Sequence, residues 1–273
     1  MTFIEGSVRQ RSFLSSRLVV WAVLTLSAVF FLVPIIWLTV TTFDTGQIFT
    51  WLENSALYSG AGVLIAVTLG IPAGYGLATI EFIGRRTLLI GTMIAMLIPS
   101  NALALPLFLG VNAFHMLGSP LAVILPYGLF PFGVYIAYLF FDTPRIHGLL
   151  AAARVDGCTE WQVFRRVVLP LSTPIVGLIV ALDFIASWTN YFLPWVMYAE
   201  FNITGRFPLA LGIAQQLMPG STSGDFYQNI QLQLALPPSA EALLLLLSAA
   251  PVILVLLIAQ RWIVSGRLQG VFD

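Results

Sequence analysis

The chain has 273 residues, 59% hydrophobic and 9% charged, with a mean hydropathy of +0.94; soluble domains carry about 25% charged residues, so this surface suits lipid rather than water. Its twelve basic residues are all arginine and balance twelve acidic ones, leaving no net charge and no electrostatic footprint for nucleic acid. The lack of lysine excludes a P-loop and a Schiff-base lysine, and the single cysteine, Cys158, excludes an internal disulfide and a multi-cysteine metal site.

Crossing about 30 Å of hydrocarbon takes about 20 apolar residues in a helix, and an open sheet cannot satisfy its backbone there. The hydropathy pattern predicts a short N-terminal segment, 1–17, and a six-helix membrane domain over 18–264, with spans at about 18–40, 57–80, 87–111, 121–141, 174–196 and 242–263. A tail, 265–273, follows. The apolar run Leu18–Val40 is 23 residues long, beyond a signal peptide's usual core of about 7–15, and no small-residue cleavage site follows it, so it reads as a retained anchor. Pro99, Pro106, Pro126 and Pro131 predict kinks in the third and fourth spans. Eleven of the twelve arginines fall at the N-terminus, in alternate loops, at the end of the last span and in the tail, with only Arg206 on the other side. The positive-inside rule therefore places both termini in the cytoplasm. Trp37, Trp51, Trp188, Trp195 and Trp262 lie near span ends, where an aromatic belt accounts for them.

Two loops exceed the length of simple connectors. The inner one, 142–173, reads as two short helices around a turn: Leu149–Arg154 is rich in helix formers, and Asp156-Gly157 supplies a stop with Gly157 suited to the left-handed position. Thr159-Glu160-Trp161-Gln162 fits a capping box, after which Trp161, Phe164 and Val168 are expected on one face, until Leu169-Pro170 ends the helix. On physics alone this hairpin either lies on its own bundle or docks another protein. The outer loop, 197–241, holds the turn-rich Pro219–Asp225 and the mildly amphipathic Phe226–Leu236, and reads equally as a contact surface or a flexible connector.

The run Leu149-Leu150-Ala151-Ala152-Ala153-Arg154-Val155-Asp156-Gly157, with Leu169-Pro170 twelve residues on, resembles the EAA motif of ABC-importer permeases. Trp161-Gln162 and Phe164 after it are similar to the carbohydrate-importer branch that includes the G subunit of the maltose transporter. Asn54-Ser55, Gly74-Tyr75-Gly76-Leu77-Ala78, Phe82–Arg86, Ile98-Pro99, Leu105–Phe108, Trp188–Leu193 and Gln260–Gly266 resemble that branch in order and spacing.

The resemblance implies an all-α polytopic membrane protein of type I ABC-importer permease architecture, non-catalytic, in the cytoplasmic membrane. It also implies a second permease, two ATPase subunits that bind ATP and Mg, and an extracytoplasmic solute-binding protein, with no metal or cofactor in this chain. The cargo implied is a sugar or sugar derivative. The coupling residues carried over are Ala151, Ala152, Arg154, Asp156 and Gly157. Ala151 stands where the motif has glutamate, and Arg145–Leu150 replaces its usual acidic stretch, so one expected ion pair with the ATPase is missing. Gly266 and Gly270 match a tail that in relatives reaches between ATPase subunits.

Asp183 is the only charge within the apolar cores of the spans, where a carboxylate costs on the order of 3 kcal/mol. It either lines a solute path or makes a structural hydrogen bond. Asn101, Trp188, Asn190 and Tyr191 offer amide, hydroxyl and aromatic groups suited to a sugar, and helix packing accounts for the same residues. The alternative class is a self-sufficient secondary transporter driven by Asp183; no further titratable group in the spans and no inverted repeat supports it. His115, His147 and Cys158 read as solvated or structural.

Overall fold

The computed structural model describes residues 45–198, 203–217 and 248–259, and these form helices with no strand among them. The expected first span and the tail lie outside the described residues, as do 218–241 of the outer loop; of the sixth span, 248–259 is described.

The longest element is α1, Thr45–Thr79, a 35-residue helix apolar enough over Ile48–Thr79 to cross a bilayer. It begins twelve residues before the expected span because Ile48, Trp51 and Ser55 are buried against other parts of the chain, which prolongs the helix beyond its lipid-matching core. Its C-terminal carbonyl at Ala78 accepts a hydrogen bond from the Arg85 guanidinium at 3.1 Å, a cation where the helix dipole favours one.

Helix α2, Arg85–Leu97, buries none of its side chains. Pro99 disfavours the helical region for the residue before it, and Ile98 is extended at φ −76° and ψ 123°. A 3₁₀ turn, Ser100–Leu103, then leads into α3, Ala104–Ala113, and the two halves meet at 105°. The third expected span is thus a sharply broken pair rather than a gently kinked rod. Helices α4, Leu121–Gly128, and α5, Pro131–Phe141, make a 21-residue unit long enough to cross, with Pro131 opening α5.

Helices α6, Pro144–Val155, and α7, Glu160–Leu171, form the hairpin expected between the fourth and fifth spans. Helix α8, Thr173–Trp188, is bent 64° from α7. The fifth expected span is interrupted after Trp188 and resumes as α9, Phe192–Tyr198. A 3₁₀ turn, Thr204–Arg206, precedes α10, Leu209–Leu217, and α11 covers Ser248–Ala259.

Helix α1 is the axis of the bundle, packed against α4, α5 and α8. Glycines allow the approach. A Cβ added at Gly74 would lie 2.7 Å from the Tyr138 amide nitrogen and closer still to the Ala137 methyl, so only glycine lets α1 touch the α5 backbone. Two apolar cores result, one toward each end of α1. The first gathers Trp51, Tyr58, Val123, Tyr127, Trp188 and Leu209. The second gathers Ile71, Tyr75, Phe141, Ile146, Leu150 and Val163.

Two of the tryptophans assigned to an aromatic belt are core residues instead. Trp51 is 5% exposed and Trp188 4%, and each indole N–H donates inward, to Thr204 O at 3.1 Å and Ser248 O at 2.9 Å. A buried indole needs such a partner, and tertiary contacts supply it here. Trp195 is partly buried, while Trp37 and Trp262 lie outside the described residues.

Candidate functional site

The α6–α7 hairpin owes its shape to local signals. Helix α6 ends with Gly157 at φ +83°, a left-handed conformation that costs glycine nothing. The Gly157 N–H donates to Arg154 O and the Cys158 N–H to Ala153 O, both at 3.1 Å, which is the paired closure of a Schellman motif. Immediately after, the Thr159 side chain accepts from the Gln162 amide at 3.4 Å while Gln162 accepts from the Thr159 amide at 3.0 Å, the expected capping box.

The expected face of α7 is corrected. Val163 and Val168 are fully buried, whereas Trp161 is 67% exposed and stacks on Phe164 with ring centroids 5.9 Å apart. The cause is a π turn over Phe164–Val168, whose extra residue brings side chains five apart onto one face. Those valines join Ile146 and Leu150 of α6 against Phe140, Phe141 and Tyr75. Tyr75, from the Gly74–Ala78 run of α1, meets Phe141 edge-on at 5.6 Å and Phe164 at 5.7 Å. The buried side of the hairpin is therefore continuous with α1 and α5.

Its other side is open. Ala151, Ala152, Arg154, Asp156 and Gly157 are all exposed, on one short stretch running from α6 into the turn. Arg154 binds Glu160 through two parallel hydrogen bonds of 2.7 and 3.1 Å, bridging the turn from helix to helix. The guanidinium holds the Glu160 carboxyl below its ordinary value, and the same hydrogen bond raises Arg154. Sequence reading missed this pair; the signal was opposite charge across a glycine turn, six residues apart.

A second polar cluster was also missed. Asp142 accepts a hydrogen bond from the Tyr138 hydroxyl at 2.8 Å and lies 4.0 Å from Arg85 and 3.6 Å from His147 Nε2. It gathers the ends of α1 and α5 and the starts of α2 and α6 at one point, joining residues too far apart in sequence to form a motif.

The candidate path residues are dispersed. Asp183 is 3% exposed in α8, with Oδ2 lacking a hydrogen-bond partner among the described residues. Trp188 stacks on Phe184 at 5.2 Å and ties α8 to α11. Asn190 caps α9 by accepting from the Leu193 amide at 3.1 Å, and its carbonyl accepts from the Tyr127 hydroxyl at 3.1 Å. Tyr191 is 52% exposed, and Asn101 is exposed in the break between α2 and α3. Asp183, Trp188 and Asn190 thus share one region of α8 and the turn after it, and Asn101 and Tyr191 are placed on open surface. No group of three His, Cys, Asp or Glu side chains gathers among the described residues.

At the far end of α1, side chains clamp the segment 203–209. Asn54 donates to Gly205 O at 2.9 Å and Phe207 O at 3.1 Å, Tyr58 to Arg206 O at 2.9 Å, and Ser55 Oγ accepts from the Leu209 amide at 2.7 Å. Arg206 in turn donates to Gly118 O. This clamp gives Asn54-Ser55 a structural role that its place in a motif did not reveal.

Residues 66–268 match the family described as binding-protein-dependent transport system inner membrane component. The chain is 30% identical over 230 residues to the arabinooligosaccharides transport system permease protein AraQ of Bacillus subtilis (strain 168), covering 84% of this chain and 75% of that one. It is 32% identical over 235 residues to the maltose/maltodextrin transport system permease protein MalG of Escherichia coli (strain K12), covering 81% and 71%. In fold it is similar to a chain of a bacterial ABC transporter involved in the import of the acidic polysaccharide alginate, with a TM-score of 0.65 at 18% identity over 93% of this chain and 97% of that one. A chain of the MetNI methionine ABC transporter gives a TM-score of 0.57 at 18% identity, over 82% and 99%. With a helical fold shared across nearly the whole chain and a family match over most of it, this all-α polytopic membrane protein belongs to the binding-protein-dependent transport system inner membrane components, with the type I ABC-importer permease architecture.

Proposed function

We propose that the chain is a non-catalytic membrane subunit of an ABC importer that carries a sugar or sugar derivative across the cytoplasmic membrane. It pairs with a second permease, two ATPase subunits and an extracytoplasmic solute-binding protein, with both termini and the α6–α7 hairpin in the cytoplasm. ATP and Mg belong to the ATPases. The hairpin is the coupling element, presenting Ala151, Ala152, Arg154, Asp156 and Gly157 to the ATPase.

The observation that carries this reading is the two-sidedness of the hairpin. Its apolar side is buried against α1 and α5, and its small-residue side is open. A push on the open side is transmitted through a close-packed interior, because packed side chains have little room to absorb it. The relatives' names support the solute class.

The test is purification of the tagged chain from its native host in mild detergent, followed by uptake of labelled malto- and arabino-oligosaccharides in proteoliposomes. Recovery with an ATPase and ATP-dependent uptake is expected; a chain recovered free of any ATPase sinks the reading. A secondary transporter driven by Asp183 is not favoured by these relationships. It would require uptake without ATP that Asp183→Asn abolishes.

A further inference from the structure

Beside the hairpin, α6 and α7 and the start of α8 enclose an apolar cleft of about 430 Å³, whose walls include Phe140, Ile146, Leu149 and Leu171. Arg145 from α6 and Arg166 from α7 line the same cleft, and both are exposed. Among the described arginines, Arg85 is engaged with Asp142 and the Ala78 carbonyl, Arg154 with Glu160 and Arg206 with the Gly118 carbonyl, while Arg86 and Arg165 do not line this cleft. Arg145 and Arg166 have no ion pair or side-chain hydrogen bond among the described residues.

Two uncommitted guanidiniums over an apolar cavity ask for a ligand with an anionic head and a hydrocarbon body. The planar guanidinium fork matches phosphate oxygens in pairs, which a lysine could not do. The cleft is lined as well by Pro170, Leu171 and Pro174, where α7 gives way to the apolar α8. Basic pockets between membrane helices at the cytoplasmic side are suited to anionic lipid head groups.

We propose that this cleft is a binding site for an anionic phospholipid, its phosphate held between Arg145 and Arg166 and an acyl chain laid against Phe140, Ile146 and Leu149. A bound lipid would tie the coupling hairpin to the membrane surface where α7 gives way to α8. The proposal rests on reading the hairpin end as the cytoplasmic membrane face.

The test uses the full chain purified with its partners, incubated with equal amounts of phosphatidylglycerol and phosphatidylcholine of identical chains, and scored by native mass spectrometry. The wild type is expected to retain phosphatidylglycerol about thirtyfold over phosphatidylcholine, the scale two interfacial arginines give. R145Q/R166Q is expected to bring the ratio close to one, with R145K/R166K in between. Should the glutamine variant not assemble, Leu149→Trp fills the cleft without changing charge and must lower retention. A wild-type ratio near one, or retention unchanged in these variants, overturns the proposal. So does displacement of the lipid by inorganic phosphate alone, which would make this a free-anion site, or complete cross-linking of Leu149→Cys to the second permease, which would make it a protein contact. Absence of an ATPase from the preparation is a separate readout that bears on the proposed function and not on the lipid ratio.

Discussion

The two ends of α1 are held in different ways. At the Arg206 end, Trp51, Asn54, Ser55 and Tyr58 reach across about 150 residues of sequence to the backbone of 204–209, so one helix and one connecting segment form a single hydrogen-bonded unit. At the hairpin end, the attachment to α6 and α7 is apolar, and the polar contacts are fewer long-range ones near the surface: Arg154 with Glu160, Asp142 with Arg85, Tyr138 and His147, and Arg85 with the Ala78 carbonyl. Hydrogen bonds to backbone fix direction as well as distance, and the one that is fully buried, Leu209 N–H to Ser55 Oγ, would leave an unsatisfied donor costing about 1–3 kcal/mol if broken. Apolar packing resists separation but is less particular about rotation. The clamp end is therefore suited to staying put, and the hairpin end to transmitting a displacement from its open face into α1, α5 and α8.

The largest effect that bears on this contrast is expected at the clamp. Trp51→Ala empties a buried ring site and removes the Thr204 hydrogen bond, and should cost about 3–5 kcal/mol, read as a fall in the melting temperature of the purified protein. If it melts within a degree or two of wild type, the clamp is not a rigid unit. Next comes Gly74→Val at the hairpin end of α1, where the added side chain meets Ala137 and the Tyr138 backbone. Overpacking of about 1–3 kcal/mol is expected, together with a loss of solute-stimulated ATP hydrolysis larger than the loss of stability. Equal hydrolysis in the variant would show that the α1–α5 contact carries no signal.

A smaller change separates stability from coupling. Arg154→Ala breaks a pair whose side chains are 42% and 67% exposed, so the stability change should stay below about 1 kcal/mol while ATPase binding weakens measurably in a pull-down titration. Ala151→Glu, at an exposed position, should leave assembly intact; complete loss of the complex on a native gel would contradict that. The smallest effect is in pH. Folding holds the Glu160 carboxyl below its ordinary value of 4.5, so the stability it contributes is present above that value and is lost as pH falls through the lowered one. The melting difference between wild type and Glu160→Gln should be constant near neutrality and vanish in acid; a difference that grows in acid would reverse the assignment.

Much of the hairpin was legible beforehand because its determinants are local. Gly157 and the Thr159–Gln162 capping box act over a few residues and need no distant partner. The break at Pro99 was legible for the same reason, though its 105° sharpness was not, since no rule for a proline sets the angle. The π turn escaped detection because nothing in Phe164–Val168 departs from an ordinary helix pattern; burial of Val163 and Val168 together selects it. Among the path candidates, amide and indole groups read as solute ligands and as packing residues alike, and the hydrogen bonds of Trp188 with Ser248 and of Asn190 with Tyr127 join residues that no spacing could connect.

Composition and local order by themselves determined that this chain is helical, membrane-embedded and built around a capped hairpin, because hydropathy, caps and proline breaks act within a few turns of helix. Tertiary structure alone decided which end of α1 is clamped, that Trp51 and Trp188 turn inward, and that Arg145 and Arg166 share one cleft without a partner among the described residues. Those outcomes depend on which distant groups share a buried or partly buried space, and satisfying a donor or filling a void is a property of that space rather than of any stretch of sequence.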